Sequence, residues 1–398
     1  MKEVFFQMTP GGDWISILMW FVFMLFLFFF YPRMMISQIM WKLERTAREL
    51  EKMSEDSKRF IAKEISKKLD KKLKDSISMF FEFFVISPVS LDPYGVVKKF
   101  DHILRNQKER FRYFVNQIAP NLNEEKKASI EMGLAGGITM HQIAKMVRHY
   151  VELVRETKNI QIAILLQMQL PMIEKIAKAM FRGTKSLTKG EPIGDSFGPY
   201  VAAALIGKNK VKEIAEDVVM AKIRMKGRNV FVLKSKGPGG RLGRLDEAIA
   251  VLTKKYKIAR IIAIDAAAKL EGEKTGSIAE GVGIAMGGPG VERFNIEEIA
   301  VKKKIPLDSV VVKMSQEEAI TPMRKAIKDS LPQVIESINR SIERTKKGEN
   351  IIIIGVGNTS GVGNSGETVK SVNEWVEKRE RKIRALKRKN RDLDENLV

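Results

Sequence analysis

The feature that most constrains this chain is an uninterrupted apolar stretch near its amino terminus. The segment Trp14–Tyr31 contains eighteen residues, of which only Ser16 is polar, and this meets the length and polarity expected of a membrane-spanning helix. Its ends carry Trp14 and Tyr31, and such aromatic residues favour the two membrane–water interfaces. A cleaved signal peptide would require a small-residue cleavage site, whereas here bulky residues run directly into Pro32-Arg33. The sequence therefore predicts a transmembrane helix within residues 1–37.

The charges on either side of this stretch predict its orientation. The upstream side holds Lys2, Glu3 and Asp13, whereas the downstream side holds Arg33, Lys42, Arg45 and Arg48. By the positive-inside rule, the basic side faces the cytoplasm. We therefore expect a single-pass protein of the cell membrane, in contact with membrane lipid, with a short exterior N-terminus and cytoplasmic C-terminal domains.

Composition indicates the kind of partner and excludes some chemistry. The 398 residues include 70 Lys and Arg against 48 Asp and Glu, which leaves a formal net charge of +22. Such an excess favours a polyanionic partner, namely an anionic lipid surface, RNA or a ribosome. Cysteine is absent, which excludes disulfides, thiol catalysis and thiolate metal sites. The lack of cysteine together with abundant Lys, Glu and Ile is typical of a thermophile's protein.

The middle of the chain is predicted to be helical in two parts, residues 38–87 and 88–189. Apolar residues at helical spacing over Lys42–Asp75 predict one or two amphipathic juxtamembrane helices, either a solvated stalk or helices lying on anionic headgroups. The phenylalanine-rich block Met79–Ile86 is either a buried helix end or a membrane-dipping segment. Ile160–Ile176 is apolar almost all round, but its three glutamines argue against a second span, so it is expected to be a buried helix or an oligomer contact.

Residues 190–366 are predicted to form an α/β domain. Strand-like runs at 229–233, 258–264, 309–313 and 350–354 alternate with helical segments, and this order is typical of a mainly parallel sheet. The fold class expected from the whole sequence is therefore α/β with an N-terminal transmembrane helix, in which an all-α middle domain precedes a mainly parallel α/β domain of phosphorylase/hydrolase-like type.

Two aspartates in this half are candidates for catalysis. Asp195 lies between glycines at the start of an apolar helix, and Asp265 directly follows the β-branched run Ile258–Ile264. The carboxyl ends of strands line the crevice where open α/β sheets bind ligands, so we expect the two acids to face each other there. The structural alternative is that Asp195 caps the helix that follows it and Asp265 caps the turn Ala266–Ala268.

Glycine-rich loops accompany these acids. Glycine permits positive φ and close approach of the backbone to a ligand. The loop residues expected to approach a ligand are Gly194, Gly198, Gly287, Gly288, Gly355, Gly357, Asn358, Gly361 and Gly363. Neither nucleotide-binding motif is complete, because Ser360 replaces a Rossmann glycine and Gly366 is followed by Glu367-Thr368 rather than Lys-Ser/Thr.

The stretch Pro192–Leu205 resembles the acidic motif of the superfamily of spore germination proteases and hydrogenase-maturation proteases. Ile262–Ala266 resembles the second acidic strand of that superfamily, and Lys274–Ile278 resembles the segment that follows it. The superfamily's first strand, which ends in Gly-Val-Gly-Asn, is found instead at Ile351–Asn358, so the resemblance implies a circular permutation that inserts the last strand beside Asp195. It also implies that both acids belong to the active or metal site.

The histidine that maturation proteases use as a nickel ligand has no counterpart in this sequence, and Glu317 is the one candidate to replace it. No organic cofactor is predicted, and a divalent metal at Glu317 stays open. Two adjacent carboxylates can share a proton and activate water, which predicts an aspartate-dependent peptidase or hydrolase acting on a protein substrate. The whole layout also resembles an uncharacterised archaeal single-span membrane-protein family. The rival hypothesis is a non-enzymatic membrane scaffold or receptor that recruits a ribosome, RNA or a protein partner.

The segment 367–398 is predicted to be a basic helical tail. Nine of the fourteen residues from Lys378 to Arg391 are basic: Lys378, Arg379, Arg381, Lys382, Arg384, Lys387, Arg388, Lys389 and Arg391. The density of charge predicts binding to RNA, a ribosome or anionic lipid that weakens with salt, whereas the structural alternative is a solvated basic helix.

Overall fold

The computed structural model describes residues 13–67, 70–89, 95–288 and 290–389. The predicted exterior segment before Asp13 lies outside these described residues, as does Arg391 of the tail. The chain divides into two compact units. The first comprises the described residues up to Lys52 with Gln142–Lys175, and the second comprises Met53–His141 with the chain from Ile176 onward.

The first part of the chain is helical, as predicted. Its helices are α1 (Asp13–Ile65), α2 (Lys71–Phe80), α3 (Val96–Ile118), α4 (Glu124–Thr157) and α5 (Ile160–Lys189). The stretch between Lys42 and Asp75 thus forms the end of one helix and the start of another.

Within the first unit, the apolar stripe of α1 is buried. Leu43, Ala47 and Leu50 have almost no exposed surface, and ion pairs surround them. The Arg148 guanidinium of α4 pairs with Glu51 of α1 at 2.6 Å from Nε to Oε1. Neither the solvated stalk nor the headgroup-lying helix describes this part of α1, because its apolar face packs inside the protein.

Helix α5 is more exposed than the sequence predicts. The side chains of Met168 and Met172 are 74% and 67% exposed, whereas Ala163, Leu166 and Leu170 are buried. The expectation of a buried helix is therefore wrong for one face of α5. Among the described residues, Ile160–Lys189 is the one helix that is long and apolar enough to cross a membrane by length and composition, and Ser16–Phe28 forms a shorter apolar stretch.

In the second unit, the phenylalanine-rich block begins as a buried helix end. Phe81 is almost fully buried, and the Phe80 ring stacks on Phe114 with 3.9 Å between ring centroids. Further along the block, Phe84 and Ile86 are exposed. The buried helix end therefore describes the part of the block around Phe81, and the membrane-dipping alternative for the exposed part stays a prediction.

A seven-stranded sheet forms the core of the remaining chain. Its strands are β1 (Lys212–Ala215), β2 (Val218–Met225), β3 (Arg228–Ser235), β4 (Ile258–Ala268), β5 (Ile278–Val282), β6 (Leu307–Met314) and β7 (Asn350–Gly355). The strand order is β1-β2-β3-β7-β4-β6-β5. The four central strands are parallel, whereas β1, β2 and β5 pair antiparallel with their neighbours.

The sheet is therefore mixed rather than mainly parallel, since three of its six pairings are antiparallel. The reason lies partly in the turn between β2 and β3. Lys226 and Gly227 both have positive φ, at 48° and 78°, as a two-residue hairpin turn of type I′ requires. Such a turn forces the segment before β3 to return antiparallel to it.

Helices cover both faces of the sheet. They are α6 (Phe197–Ile206), α7 (Leu245–Lys255), α8 (Val291–Lys303), α9 (Gln316–Ile320), α10 (Lys325–Lys328), α11 (Leu331–Glu343) and α12 (Glu367–Lys389). α6, α11 and α12 pack on one face, and α7 and α8 pack on the other. The helical chain between β6 and β7 is interrupted at Asp329-Ser330, and α11 begins at Leu331 with Pro332 in its first turn, a position that proline suits.

The strand nearest the carboxyl terminus lies at the centre of the sheet. β7 pairs with β3 on one side and with β4 on the other. Ile351–Ile354 are fully buried on both faces, as expected for a parallel strand covered by helices on two sides. The last strand is thus inserted into the sheet beside the strand that carries Asp265.

Candidate active site

Asp265 lies where the pairing between β4 and β7 stops. The last β4–β7 pair joins Ile264 to Gly355, whereas pairing with β6 continues to Ala268. Residues 266–268 are therefore strand and not a turn, so Asp265 does not cap a turn. Its carboxylate Oδ1 instead accepts a hydrogen bond from the Ala266 N–H at 2.6 Å. The residue is 5% exposed. It lies at the carboxyl edge of the sheet, one residue beyond the last pair that β4 makes with β7.

Asp195 lies in a short 3₁₀ turn, Gly194–Ser196, that leads into α6. The residue that precedes α6 is Ser196, and its side chain makes no capping hydrogen bond. The Asp195 carboxylate Oδ2 accepts a hydrogen bond from the backbone N–H of Asn358 at 2.8 Å. The helix-capping interpretation of Asp195 is therefore wrong, since its carboxylate is held by the loop that follows β7.

The turn that carries Asp195 is fixed by neighbours on two sides. The Gly194 N–H donates to the Thr321 carbonyl at 3.0 Å, just after α9. On the other side, the Ser196 hydroxyl donates to the Ser360 carbonyl at 3.0 Å. The turn is thus tied both to the segment after β6 and to the loop after β7, and both lie at the carboxyl edge of the sheet.

Two glycines allow α6 and its preceding turn to approach the strands closely. A Cβ atom at Gly198 would lie 2.0 Å from the Val356 carbonyl oxygen and 2.7 Å from that of Ile264. At Gly357, where φ is +124°, a Cβ atom would lie 2.1 Å from the Asp195 carbonyl oxygen. No side chain fits at such distances. These glycines therefore bring the Asp195 turn against the residues that flank Asp265.

The other predicted loop residues divide into two groups. A Cβ atom would also lie within 2.4 Å of a backbone atom of the protein at three of them: Gly194, Gly355 and Gly361. By contrast, Gly287 and Gly288 have nothing within 4 Å, and Gly363 has only ordinary contacts. Asn358 is buried, and its Oδ1 accepts from the Ser360 N–H at 2.9 Å. At the crowded glycines, the backbone therefore lies close to other parts of the protein chain, where the sequence predicted close approach to a ligand.

The electrostatics of the two acids are coupled. Burial and, second to it, the negative charge of Asp195 raise the pKa of Asp265 to about 8, while the hydrogen bond from the Ala266 N–H opposes the rise. Burial also raises the pKa of Asp195, against the hydrogen bond from the Asn358 N–H. When two buried carboxyl groups influence each other, the negative charge of one opposes the ionisation of the other. At neutral pH, the pair therefore retains a proton.

The two side chains reach the crevice from different directions. Asp265 alternates in phase with Ile261 and Ala263, which face α7 and α8. The Asp195 turn leads into α6, which covers the opposite face of the sheet. Asp195 is half-buried, whereas Asp265 is buried.

A third titratable residue near this edge, Lys234, was not singled out from the sequence. It is fully buried at the end of β3, where it pairs with Gly355 of β7. Its ammonium nitrogen donates to the Ser235 carbonyl at 2.7 Å and to Asn364 Oδ1 at 3.0 Å. Burial lowers its pKa to about 7. The signal in the sequence is a lysine that ends the apolar run Val230–Leu233.

Glu317, the candidate metal ligand, lies in the first turn of α9. Its Oε2 accepts from the Ser315 hydroxyl at 2.5 Å. The neighbouring Glu318 is buried, and it pairs with Arg324 at 2.9 Å while completing the cap of α9. Over the part of the chain that the structure describes, no three His, Cys, Asp or Glu side chains gather as a metal site would require.

The basic tail is helical up to Lys389. One face of α12 is buried through Val372, Val376 and Ile383. Of the nine basic residues predicted for the tail, the exposed ones are Lys378, Arg381, Lys382, Arg384 and Arg388, while Lys387 and Lys389 belong to the same helix. Arg379 is half-buried, and burial together with the nearby Arg324 and Arg182 lowers its pKa. Cationic surface is thus concentrated on the exposed side of the last turns of α12.

Comparison with known proteins identifies a family for both halves of the chain. Residues 17–190 match the family described as "Protein of unknown function (DUF1512) N-terminal domain". Residues 193–363 match the one described as "Domain of unknown function (DUF1512) C-terminal". No curated protein and no solved structure matches the chain. Because the two matches follow each other and together take in most of the sequence, the chain belongs to the DUF1512 family.

Proposed function

We propose that this protein is a membrane-anchored hydrolase of peptidase or amidase type, which uses Asp195 and Asp265 as an acid–base pair. The observation that carries the proposal is that the Asp195 turn packs against the residues that flank the buried Asp265, since a Cβ atom at Gly198 would lie 2.7 Å from the Ile264 carbonyl oxygen. Burial and the charge of Asp195 raise the pKa of Asp265 to about 8. Perturbed pairs of this kind concentrate at functional sites. The position of the pair at the carboxyl edge of parallel strands, where α/β proteins bind ligands, supports the same conclusion.

The chemistry follows from a pair that holds one proton. The ionised carboxylate accepts a proton from water while the water oxygen forms a bond to the carbonyl carbon of the substrate. The protonated carboxyl donates its proton to the leaving nitrogen as the C–N bond breaks. The pair again holds one proton at the end, with the two roles exchanged. The resemblance to maturation proteases supports a peptide bond of a protein substrate.

The anchoring part of the proposal rests on the exposed apolar side chains of α1 between Trp14 and Tyr31. We propose that they lie in the bilayer, with the chain beyond Arg33 in the cytoplasm. Among the described residues, α5 is the helix that is long and apolar enough to cross a membrane by length and composition, but its uncharged part ends at Ile173, before Glu174 and Lys175. That part is shorter than the roughly 20 residues a span requires, so we retain a single span.

The proposal predicts a large loss of activity when either acid is neutralised. We expect Asp195→Asn and Asp265→Asn each to lower the rate of peptide cleavage by about 10²–10⁴-fold, the contribution typical of general acid–base catalysis. The purified full-length protein would be assayed against a peptide library with mass-spectrometric detection. Its rate should fall above pH about 8, because the proton that the leaving group needs is then lost.

A suitable control is Asp329→Asn, which removes an exposed acid that pairs with Lys325 outside the crevice. This variant should retain the wild-type rate. The proposal would be overturned if the wild-type protein cleaved no peptide with or without added divalent metal, or if either neutralised variant cleaved as fast as the wild type.

We retain a second candidate function, a scaffold that binds a polyanion through its tail, because five of the predicted basic tail residues are exposed on α12. We expect the triple variant Lys378→Gln, Lys382→Gln and Arg388→Gln to reduce co-sedimentation with ribosomes or anionic vesicles by at least about tenfold at low salt, since each phosphate contact adds salt-dependent affinity. The matched control neutralises three other exposed lysines, Lys208, Lys210 and Lys254. Equal losses in both variants would show that the total charge, and not the tail, drives binding.

A further inference from the structure

A cavity of about 610 Å³ opens at the amino edge of the sheet, the end opposite to Asp195 and Asp265. Its wall is made by the residues that precede β4, β6 and β7 and by the carboxyl ends of α7, α8 and α11. Tyr256, Ile258 and Pro306 are among the lining residues. A volume of this size is within the range of small-molecule sites.

The cavity is strongly cationic. Six basic residues line it: Lys257, Arg260, Lys303, Lys304, Arg344 and Lys346. Glu349 is the one acidic residue among the lining residues. Asp308 offsets part of this charge, since its Oδ2 lies 2.6 Å from Arg260 Nη1 and 3.9 Å from Arg344 Nη1. Even with both acids counted, the cavity keeps an excess of four positive charges.

Helix ends explain only part of this charge. Cations near the carboxyl end of a helix are stabilised by its dipole, and Lys303 fits this role because its ammonium donates to the Thr253 carbonyl at 2.6 Å. Lys257, Lys304 and Lys346 lie beyond the helix ends. In the described part of the chain, their ammonium groups pair with no carboxylate. Arg260 adds a buried Nε–H that has no acceptor there.

We propose that this cavity binds a small molecule that carries two or more linked phosphate groups. Guanidinium and ammonium groups form strong charge-assisted hydrogen bonds with phosphate oxygens, and the ammonium groups of Lys257, Lys304 and Lys346, which pair with no carboxylate among the described residues, offset much of the charge of a diphosphate or triphosphate. A concave site walled by three helix ends suits a compact ligand better than an extended nucleic-acid strand. The site is separate from the aspartate pair and does not depend on the hydrolase proposal.

The test uses the full-length protein in detergent and isothermal titration calorimetry with three probes: inorganic tripolyphosphate, ATP and orthophosphate. We expect tripolyphosphate to bind, and orthophosphate to bind at least tenfold more weakly because it spans fewer of the cations. Tighter binding of ATP than of tripolyphosphate would identify a nucleotide as the ligand, whereas equal binding would identify the phosphate chain alone. Absence of tripolyphosphate and ATP binding at millimolar concentration would overturn the proposal.

Substitutions of the lining residues test whether tripolyphosphate binds in this cavity. The triple variant Lys257→Gln, Lys304→Gln and Lys346→Gln removes exposed cations that have no ion-pair partner among the described residues, so folding should be unchanged by circular dichroism. We expect it to weaken tripolyphosphate binding at least tenfold. The control is the tail variant Lys378→Gln, Lys382→Gln and Arg388→Gln, which removes the same charge and should bind normally. Equal weakening in both variants would overturn the proposal, as would a short RNA that binds more tightly than tripolyphosphate and displaces it.

Discussion

Replacing Asp265 by asparagine is expected to stabilise the folded protein at neutral and alkaline pH, although the residue is almost completely buried. Asparagine keeps an oxygen that can accept from the Ala266 N–H, and it removes a carboxyl group whose ionisation is opposed by burial and by Asp195. Since each tenfold change in proton affinity corresponds to about 1.4 kcal/mol, we expect the free energy of unfolding to rise by about 2 to 5 kcal/mol at pH 9.

The pH dependence of this effect has a defined sign. The folded protein holds the Asp265 proton up to pH about 8, whereas the unfolded chain releases it near the ordinary aspartate pKa of 3.8. Between these values the folded state binds more protons, so this group's contribution to stability is complete below pH about 4 and is lost as the pH rises to about 8. The difference between the Asp265→Asn variant and the wild type should therefore be near zero at pH 4 and largest above pH 8.

Urea unfolding followed by circular dichroism over this pH range would measure the difference. Asp308 provides a matched control, because it is buried on the neighbouring strand β6 but pairs with Arg260 at 2.6 Å. Asp308→Asn should destabilise the protein, since it leaves a guanidinium buried without its partner. If Asp265→Asn were equally destabilising, Asp265 would be a structural acid and the shared-proton site would be refuted.

The second large effect is expected at Gly198. In the Gly198→Ala variant, the added methyl group would lie 2.0 Å from the Val356 carbonyl oxygen, and neither the helix nor the strand can move without displacing the Asp195 turn. We expect a loss of about 3 kcal/mol or more in the free energy of unfolding, at or beyond the upper end of what overpacking usually causes.

Gly287→Ala is the control for that experiment, because nothing lies within 4 Å of the position where its Cβ would be built. Its stability should change by no more than about 0.5 kcal/mol, as is usual at exposed sites. Chemical denaturation of both variants distinguishes a glycine needed for packing from one that is dispensable to the fold. A tolerated alanine at position 198 would contradict the close approach of α6 to the sheet.

Much of the fold can be predicted from local sequence pattern. Helical spacing identified the segments that became α3 and α4, and β-branched runs identified β3, β4, β6 and β7. The hairpin partners β1 and β2 were missed because Val211–Met225 mixes charged and apolar residues without a clear period, so its pairing depends on the turn at Lys226-Gly227. The end of β4 was also placed too early, because the alanines after Asp265 have weak strand propensity and are held in the strand by β6.

The candidate site was predictable in part for a similar reason. Asp195 and Asp265 stand out because each interrupts an apolar segment at its end, and such positions point to the edge of a sheet. The role of the glycines was not predictable, since a sequence shows that Gly198 and Gly357 permit close approach but not what approaches them. Lys234 and the cationic cavity depend on residues that are distant in the sequence and meet only in the folded chain.

The central position of β7 has a consequence for biosynthesis. β3 and β4 are made more than 80 residues before β7, and each must wait for it with one hydrogen-bonding edge unpaired. A nascent chain therefore cannot close the sheet, hold the Asp195 carboxylate through Asn358 or bury the acid pair until residues 350–358 have been made. Any catalytic power of the pair would thus be withheld from incomplete chains, and products that stop before residue 350 would present two open strand edges to quality-control proteases and chaperones.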